Sequence, residues 1–392
     1  MSIHRIARAQ DTLHRKGLAG CILFHSRDVL YYTGTAQPSW LFLRPDDHHL
    51  FVRSGMDFVS RETWLSPAKV SRERSLLEAV RRMFPGDGRG ESVGTELDLL
   101  TVLQARTFQG ALGRRRLIDF TPAVLEQRMI KSAEEVRLIR EACTAVRAGH
   151  EAAIGHLASG GEKTELGLSA AVENAHRLAG HEGVFFMRQP DFVMGRGPLA
   201  SGPNLREISG LVFSITGRGL SPAVAAGASD RVIQTGDLIL IDIPVCVRGY
   251  HADQTRMYCL GRPPDKAVEW HDRLRELADE LLLRIEPGWT TDEVFRLARG
   301  KAERLGLTDA LLCFPSGKRA HFAGHGVGLE LNEPPLLAEG RSDRLQDGMV
   351  LALELHIMTP DGFLLKLEDT FHLTAKGCRL LTLAPRSLTA VG

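Results

Sequence analysis

Two histidines and a run of glycines in residues 321–335, HFAGHGVGLELNEPP, form a pattern that could hold a metal ion. His321 and His325 stand four residues apart, and glycine occupies every second position around His325. Glycine allows close approach to the backbone, which leaves room for a large neighbour, and imidazole is a common metal ligand. A glycine-rich turn with an incidental histidine is the competing interpretation. The choice depends on which other side chains the fold brings to His325.

A predicted β-hairpin over residues 236–260 carries two aspartates. Two apolar runs flank a turn near 247–249, and folding about that turn sets Asp242 opposite Asp253. Opposed residues of an antiparallel pair share one face, with Cβ atoms about 4.5–5.5 Å apart. Both aspartates interrupt apolar strands, so two charges would repel there unless one carboxyl is protonated or a cation binds.

A second predicted hairpin, over residues 348–374, carries two glutamates. Its Pro-Asp-Gly turn signal centres on Asp361, and Glu354 and Glu368 each lie seven residues from that aspartate. The two glutamates should therefore also meet across the ladder. A surface position is the ordinary interpretation for any one of these acids, but two hairpins with facing acid pairs favour a common site.

Together these residues supply four carboxylates and one imidazole, without a thiolate. Oxygen-rich sites with one nitrogen suit Mn²⁺, Fe²⁺, Co²⁺ or Zn²⁺. Four acids exceed the needs of one divalent ion, so two ions that share bridging carboxylates are predicted. Two ions about 3.5–4 Å apart can share a hydroxide and stabilise a hydrolytic transition state. The predicted ligands are Asp242, Asp253, His325, Glu354 and Glu368.

The elements around these residues predict an α/β (α+β) protein of two domains. Residues 1–130 alternate helices and strands, with a hairpin across the turn at 45–47. Ser132 followed by Glu135 is a capping box, so a long helix opens the second domain, residues 131–392. A helix that begins near 265 ends at Pro287, and Thr291 caps the next helix.

Charge and cysteine content exclude several classes of partner. The chain has 49 lysines and arginines against 48 aspartates and glutamates, which indicates neither nucleic acid nor an anionic membrane as partner. No apolar run is long enough to span a bilayer, and the charged N-terminal stretch is not typical of a secretion signal. Six scattered cysteines without a CxxC pair favour a cytoplasmic protein with reduced thiols.

The order and spacing of these motifs resemble the creatinase/aminopeptidase superfamily, which includes methionyl aminopeptidase, Xaa-Pro aminopeptidase, prolidase and creatinase. The motifs are Asp242, YHADQTR around Asp253, GHGVGLE around His325, Glu354 and LEDT around Glu368. The resemblance extends over almost the whole chain, including YYTG at 31–34. It implies a creatinase-like α/β domain over residues 1–130. It also implies a pita-bread catalytic domain over residues 131–392, with an antiparallel sheet and flanking helices.

The resemblance also implies how five ligands divide between two metal ions. Asp242 would chelate one ion, Asp253 and Glu368 would bridge the pair, and His325 and Glu354 would complete the ligands of the second ion. Glu354 would in addition act as the base for a water that bridges the ions. Manganese is the expected metal, with cobalt, zinc or iron as alternatives, and a homodimer is expected.

Three further residues are candidates for contact with the substrate. His321 matches a histidine with which aminopeptidase P contacts its substrate, and a bond to a loop carbonyl is the alternative role. Asn332 lies seven residues after His325, where peptidases of the superfamily carry a histidine. Arg188, in the run FFMRQPDFVMGRG, could hold a substrate carboxylate, although a surface arginine is the commoner case.

Other departures from the superfamily bear on mechanism. The segment SPAVAAGASDR has no histidine where the peptidases carry one, and Ala225 is the nearest match. Lys366 stands where aminopeptidases P have an arginine, and Pro244 replaces a glycine. Asparagine at 332 can form hydrogen bonds but cannot transfer a proton near neutral pH. The sequence therefore supports metal binding more directly than Xaa-Pro cleavage.

The predicted function is a dinuclear-metal-dependent hydrolase resembling Xaa-Pro aminopeptidase or prolidase, which acts on a small peptide or peptide-like amide. The alternative is a non-peptidase of the same superfamily that acts on a small molecule, as a creatinase-like C–N hydrolase or a metal-dependent lyase. A third hypothesis, a binding protein on a peptidase fold, is disfavoured because all five ligands are present.

Overall fold

A computed structural model of the chain describes residues 2–189, 191–192, 196–210 and 214–392. Two compact units divide the chain, Met1–Arg128 and Met129–Gly392. Both combine helices and strands, which confirms the predicted α/β class. No helix in the described ranges has the length and apolar content that crossing a membrane requires.

The first unit contains a sheet with helices packed against it. The strands are β1 (Gly20–Leu23), β2 (Ser39–Leu43), β3 (His48–Val52), β4 (Val70–Arg72), β5 (Ser92–Thr95) and β6 (Arg116–Asp119). The helices are α1 (Ser2–Arg15), α2 (Ser26–Thr33), α3 (Met56–Glu62), α4 (Leu76–Met83), α5 (Val102–Leu112) and α6 (Thr121–Met129), with a 3₁₀ helix at Pro67–Lys69. The strand order is β4-β3-β2-β1-β5-β6, and β2 pairs antiparallel with β3 as the predicted hairpin.

The second unit begins with a long helix whose cap was predicted. Its helices are α7 (Ala133–Ala158), α8 (Glu165–Leu178), α9 (Asp265–Arg284) and α10 (Thr291–Arg304), with a 3₁₀ helix at Gly202–Arg206. The capping box of α7 is confirmed, because Ser132 and Glu135 each accept the other's backbone N–H. The cap of α10 lies one residue before the predicted Thr291, at Thr290, which pairs with Glu293 in the same way.

The strands of the second unit form one large sheet and a short ribbon. They are β7 (Leu199–Ser201), β8 (Leu238–Ile241), β9 (Val245–Val247), β10 (Tyr250–Ala252), β11 (Gln254–Leu260), β12 (Phe322–Gly326), β13 (Glu333–Ala338), β14 (Val350–Met358), β15 (Leu364–Thr374), β16 (Gly377–Leu380) and β17 (Thr389–Val391). The sheet runs in the order β13-β12-β14-β15-β11-β8-β7, with β16 beside β15 and β17 beside β11. The ribbon is β9 with β10.

The two predicted hairpins differ in how well their registers were predicted. In β14–β15, Glu354 pairs directly with Glu368, which confirms the prediction. In the other hairpin, Ile241 pairs with Arg256 and Val247 with Tyr250, so the position opposite Asp242 is residue 255 and not Asp253. The prediction was wrong by two residues because a two-residue turn joins β9 to β10, with positive φ at positions 248 and 249. Since side chains alternate along a strand, an offset of two leaves both aspartates on the same face.

Alternation along β14 separates the hydrophobic core from the acidic face. Leu351, Leu353, Leu355 and Ile357 pack into a core that also contains Leu274 of α9 and Val294 of α10. Burial of each such side chain stabilises the unit by roughly 1.5–3 kcal/mol. The helices therefore hold the odd-numbered face of β14, and Glu354 must project from the opposite face.

Candidate metal centre

The five predicted ligands come from five neighbouring segments of the second unit, three of them strands and two of them positions next to strand ends. Glu354 and Glu368 face each other on β14 and β15. His325 on β12 pairs with Ala352 of β14, which brings it to the edge of the same face. Asp242 follows the last residue of β8, and Asp253 lies between β10 and β11. All five are at most 7% exposed.

One nitrogen of His325 points at three carboxylates. Nε2 lies 3.7 Å from Asp253 Oδ2, 4.0 Å from Glu354 Oε2 and 3.8 Å from Glu368 Oε1. The other ring nitrogen, Nδ1, lies 3.0 Å from the carbonyl oxygen of Gly326. Because a carbonyl oxygen can only accept a hydrogen bond, Nδ1 carries the ring proton and is the donor. The lone pair of Nε2 is then directed at the carboxylates.

These atoms fit a divalent metal ion. Ligand atoms of Asp253, His325 and Glu368 all lie within 4.8 Å of one another. Oxygen and nitrogen atoms bind such an ion at about 2.0–2.2 Å, so two ligand atoms of one ion are separated by up to about twice that bond length. The separations in this group are of that order. Within the described ranges, Oε1 of Glu368 is buried and has no hydrogen-bond partner. An unpartnered buried carboxylate oxygen costs free energy, which a bound cation would recover.

Lys366 lies inside the group of carboxylates. Its Nζ atom is 2.6 Å from Asp242 Oδ2, 2.7 Å from Glu354 Oε1 and 3.3 Å from Glu368 Oε2. It also donates a hydrogen bond of 2.9 Å to Ser214 Oγ. The lysine side chain is only 1% exposed. In the sequence, Lys366 stood out only as a replacement for arginine. Its position two residues before Glu368 on one strand is the signal that could have placed both side chains on the same face.

Burial and charge shift the pKa of these acids in opposite directions. Burial raises the pKa of Asp253 and Glu368 well above their usual values, and repulsion from neighbouring carboxylates raises it further, chiefly from Asp242 on Asp253 and from Asp253 on Glu368. Burial likewise raises the pKa of Asp242, against the opposing effect of Lys366. Burial alone would raise the pKa of Glu354 too, but Lys366 and then His325 outweigh it and lower that pKa to about 2.

Hydroxyl groups that the sequence analysis missed orient the acids. Thr255 Oγ1 donates a hydrogen bond of 2.8 Å to Glu368 Oε2. Thr370 Oγ1 accepts from the backbone N–H of Asp253 at 3.0 Å and donates to its carbonyl oxygen at 2.8 Å. Such hydroxyls carry no motif signal of their own, because serine and threonine are common in strands and loops alike.

The glycines around His325 act differently from the prediction. A Cβ atom at Gly324 would lie 2.1 Å from the carbonyl oxygen of Ala352, and one at Gly326 would lie 2.3 Å from that of Pro334. The glycines therefore allow β14 and β13 to approach β12 on both sides, and they make no room for an ion.

A cavity of about 490 Å³ opens onto the charged groups. The acidic and basic residues of its lining are Asp242, Asp253, His325, Glu354, Lys366 and Glu368. Its apolar lining consists of Met187, Phe192, Pro198, Pro244, Phe322, Leu331 and Leu336. Asn332 and Gln189 add amide groups to the wall. The cavity can therefore take a small, partly apolar molecule against the carboxylates.

The other predicted substrate residues lie outside the lining of this cavity. His321 is exposed just before β12 and is not among the described lining residues. Arg188 is also outside that lining, and its side chain forms an ion pair with Glu330 at 3.8 Å. Ala225 is half-buried in a loop and does not reach the described wall. Of the three candidates for substrate contact, the structure brings Asn332 alone to the cavity.

A buried set of acids with one histidine, at the floor of a cavity, defines a metal-dependent enzyme. The sequence pattern of metallopeptidase family M24 matches residues 137–375, and that of the creatinase/prolidase N-terminal domain matches residues 5–130. The chain belongs to metallopeptidase family M24, and the predicted superfamily is confirmed. It is a metal-dependent hydrolase of the prolidase-like type.

Similar proteins cover nearly the whole chain. The Xaa-Pro dipeptidase of Pyrococcus furiosus is 25% identical over 364 residues, which is 92% of each chain. The probable dipeptidase PepE of Mycobacterium bovis is 26% identical over 398 residues, with 99% of this chain and 96% of the relative covered. The solved Xaa-Pro dipeptidase of Bacillus anthracis is 22% identical, with a TM-score of 0.82 and 100% of both chains covered. The predicted creatinase-like and pita-bread architecture is thereby confirmed.

Proposed function

We propose that the chain is a dinuclear-metal-dependent hydrolase that cleaves the bond before proline in dipeptides or other short peptides. The observation that carries this proposal is a set of five buried side chains on one cavity wall, Asp242, Asp253, His325, Glu354 and Glu368. Three relatives named Xaa-Pro dipeptidase or dipeptidase support the same substrate class.

The proposed roles divide the five ligands between two ions. Asp242 would hold one ion, His325 and Glu354 would hold the other, and Asp253 and Glu368 would contact both. Bound ions would supply an activated water and polarise the scissile carbonyl group. Manganese is the proposed metal, and cobalt, zinc or iron are alternatives because carboxylate and imidazole ligands accept all four.

Glu354 is the proposed general base. Burial alone would raise its pKa, but Lys366 and His325 lower that pKa to about 2, so the side chain is an ionised carboxylate at neutral pH. Ser214 Oγ donates to Glu354 Oε1 at 3.0 Å, and Lys366 Nζ lies 2.7 Å from the same oxygen. A carboxylate fixed in this way can accept the proton of an attacking water.

Asn332 is the proposed substrate contact. Its amide can hydrogen-bond a substrate carbonyl or carboxylate, but it cannot deliver a proton to the leaving amine. His321 and Arg188 remain predictions as substrate residues, because neither belongs to the described lining of the cavity.

Hydrolysis of Xaa-Pro peptides tests this function directly. The metal-free protein is reconstituted separately with Mn²⁺, Co²⁺, Zn²⁺ and Fe²⁺ and incubated with Xaa-Pro dipeptides, Xaa-Pro tripeptides and matched Xaa-Ala peptides. Release of the N-terminal amino acid from the proline peptides is expected, and it should stop when Glu354 is changed to Gln. No release with any of the four metals would overturn the proposal.

A second candidate is a non-peptidase that acts on a small molecule, by C–N hydrolysis or by elimination. The observation that favours it is the amide of Asn332 in the described cavity wall, where the sequence resemblance implies a histidine. The double variant Asn332→His, Ala225→His distinguishes the two functions. Peptidase activity that appears only in this variant would support the second candidate, whereas activity already present in the natural chain would exclude it.

Three further proposals concern the domain boundary, the oligomeric state and the cellular compartment. We propose a boundary between the domains at residues 130 and 131, a homodimer as the assembly, and the cytoplasm as the compartment. All six cysteines are free, which supports a reducing compartment. Small-angle scattering of the purified protein would test the dimer, and fractionation of the source cells would test the compartment.

A further inference from the structure

We propose that His251 is a positioning residue that joins two segments of the cavity wall. The first wall segment is residues 184–189, and the second wall segment is residues 328–332. His251 is not among the described lining residues of the cavity, so it acts through these segments and not by contact with substrate. The inference rests on the proposed function for its kinetic consequence, whereas the contacts themselves can be measured without a substrate.

Both wall segments supply side chains to the cavity. Met187 and Gln189 of the first wall segment line it, as do Leu331 and Asn332 of the second. The first wall segment lies between α8 and β7 and, in the described part of the chain, belongs to neither a helix nor a strand. Since no strand ladder holds this segment, its position depends on individual contacts.

The ring of His251 contacts both wall segments at once. Its Nε2 atom accepts a hydrogen bond of 2.9 Å from the backbone N–H of Phe186. Its Nδ1 atom lies 2.9 Å from the carbonyl oxygen of Gly328. Because a carbonyl oxygen can only accept, Nδ1 carries the ring proton and Nε2 is free to accept from Phe186. Each wall segment therefore occupies one nitrogen of the same ring.

Two further contacts connect the wall segments directly. The backbone N–H of Leu331 donates to the carbonyl oxygen of Phe186 at 2.8 Å, and Arg188 Nη1 lies 3.8 Å from Glu330 Oε1. His251 itself is 0% exposed, so water cannot take over its hydrogen bonds when the ring is removed. The backbone N–H of Phe186 would then lack its acceptor, which costs free energy in a buried position.

A competing explanation follows from the position of His251 two residues before Asp253. In that explanation, the histidine acts by orienting a metal ligand. The contacts favour the wall segments, because both ring nitrogens of His251 bond to them. The backbone of Asp253 is held instead by Thr370, whose Oγ1 accepts from its N–H at 3.0 Å. The two explanations differ in outcome, since one predicts a change in substrate affinity and the other a change in metal affinity.

Hydrogen exchange at the Phe186 amide tests the contact itself. The amide should be protected in the natural chain, although it lies outside the helices and strands. His251→Asn keeps a donor near the place of Nδ1 but has no acceptor at Nε2, so exchange at Phe186 should become about tenfold or more faster. His251→Gln places an oxygen near the position of Nε2 and should restore protection. An unprotected amide in the natural chain, or unchanged exchange in His251→Asn, would overturn the proposal.

Kinetics on an Xaa-Pro peptide tests the consequence for the site. His251→Asn should raise KM by about 3–10-fold and leave kcat within about twofold, because the wall segments contact the substrate away from the carboxylates. His251→Gln should return KM toward its natural value. Equilibrium dialysis should give the same Mn²⁺ affinity for the natural chain and both variants. A lower kcat with unchanged KM, or weaker Mn²⁺ binding in His251→Asn, would favour the competing explanation and overturn the proposal.

A second buried histidine provides the matched control. His150 is 6% exposed, and its Nδ1 lies 2.6 Å from the hydroxyl oxygen of Tyr258. His150→Asn should change neither exchange at Phe186 nor KM, and circular dichroism of each variant confirms folding. If His251→Asn does not fold, exchange in the natural chain and in His251→Gln decides the proposal.

These readouts separate the inference from the proposed function. A protected Phe186 amide that exchanges faster in His251→Asn, without Xaa-Pro cleavage by the natural chain, would overturn the function alone. Cleavage by a natural chain whose Phe186 amide is unprotected would overturn the inference alone.

Discussion

The two hairpins that supply the acids differ in regularity. β14 and β15 pair without interruption from Val350↔His372 to Met358↔Leu364, and they present Glu354, Lys366 and Glu368 from a continuous ladder. The other hairpin is interrupted at both acids, since Asp242 lies beyond the end of β8 and Asp253 between β10 and β11. In the regular ladder, the pairing register alone fixes the positions of the side chains. The positions of the two aspartates depend instead on where the strand pairing is interrupted. The two hairpins should therefore respond differently to substitution.

The largest effect on activity is expected from substitution of Glu354, the proposed general base on the regular β14–β15 hairpin. Glu354→Gln keeps the size of the side chain and removes its ability to accept a proton, so kcat should fall by about 10²–10⁴-fold. Steady-state kinetics on an Xaa-Pro dipeptide measures this loss. Glu151→Gln, an exposed glutamate on α7, is the matched control and should retain full activity. A loss of less than about threefold in Glu354→Gln would remove it from the proposed role.

The two aspartates of the interrupted hairpin should separate in metal binding. Asp253 Oδ2 faces His325 Nε2 at 3.7 Å, whereas Asp242 Oδ2 contacts Lys366 Nζ at 2.6 Å. Because Asp253 is proposed to contact both ions and Asp242 only one, Asp253→Asn should weaken the binding of both ions, whereas Asp242→Asn should weaken the binding of one. Equilibrium dialysis with Mn²⁺ measures both steps. The same change in both variants would show that the two aspartates are not distinct.

A smaller effect, on metal affinity, is expected at the hydrogen bond that links the two hairpins. Thr255 of β11 donates a hydrogen bond of 2.8 Å to Glu368 Oε2. Thr255→Val keeps the shape of the side chain and removes this bond, so metal affinity should fall by about 10–100-fold. Isothermal titration with Mn²⁺ measures the affinity, and Thr255→Ser should restore it because the hydroxyl returns. Failure of the serine variant to restore affinity would attribute the loss to packing.

The smallest effect is expected at the turn of the interrupted hairpin. Arg248 and Gly249 have φ of 50° and 80°, in the left-handed region. Gly249→Ala should destabilise the protein by about 1–2 kcal/mol, because an L-residue is strained there. Arg248→Asn should instead stabilise the protein, by less than about 1 kcal/mol, since asparagine tolerates this conformation better than arginine does. Denaturant unfolding measures both, and destabilisation by the asparagine variant would contradict this account of the turn.

The regular parts of the fold followed from local sequence signals. The capping box at Ser132 and the Pro-Asp-Gly turn at 360–362 each fix a boundary or a register by themselves, and both predictions are confirmed. The two-residue turn after Val247 was missed because its first residue is arginine, which is not a usual residue for positive φ. That miss displaced the predicted register by two residues but kept both aspartates on the correct face.

The chemistry of the site followed less completely from the sequence. Acids at matched distances from a turn predict a charged cluster, because alternation along strands is independent of tertiary structure. Whether Lys366 turns toward those acids depends on the space beside Ser214, which comes from a distant loop, and no local pattern reports it. His321 is exposed in the loop before β12 and is not among the described lining residues, so its contact with substrate stays a prediction from motif spacing.

One crystallographic measurement tests the central claim that the site holds two metal ions on shared carboxylates. Crystals of the metal-free protein would be soaked with excess Mn²⁺, and the anomalous difference map would be calculated at the manganese edge. The predicted result is two peaks, one within reach of His325 and Glu354 and the other within reach of Asp242, with Asp253 and Glu368 beside both. A single peak, or none, would contradict the claim.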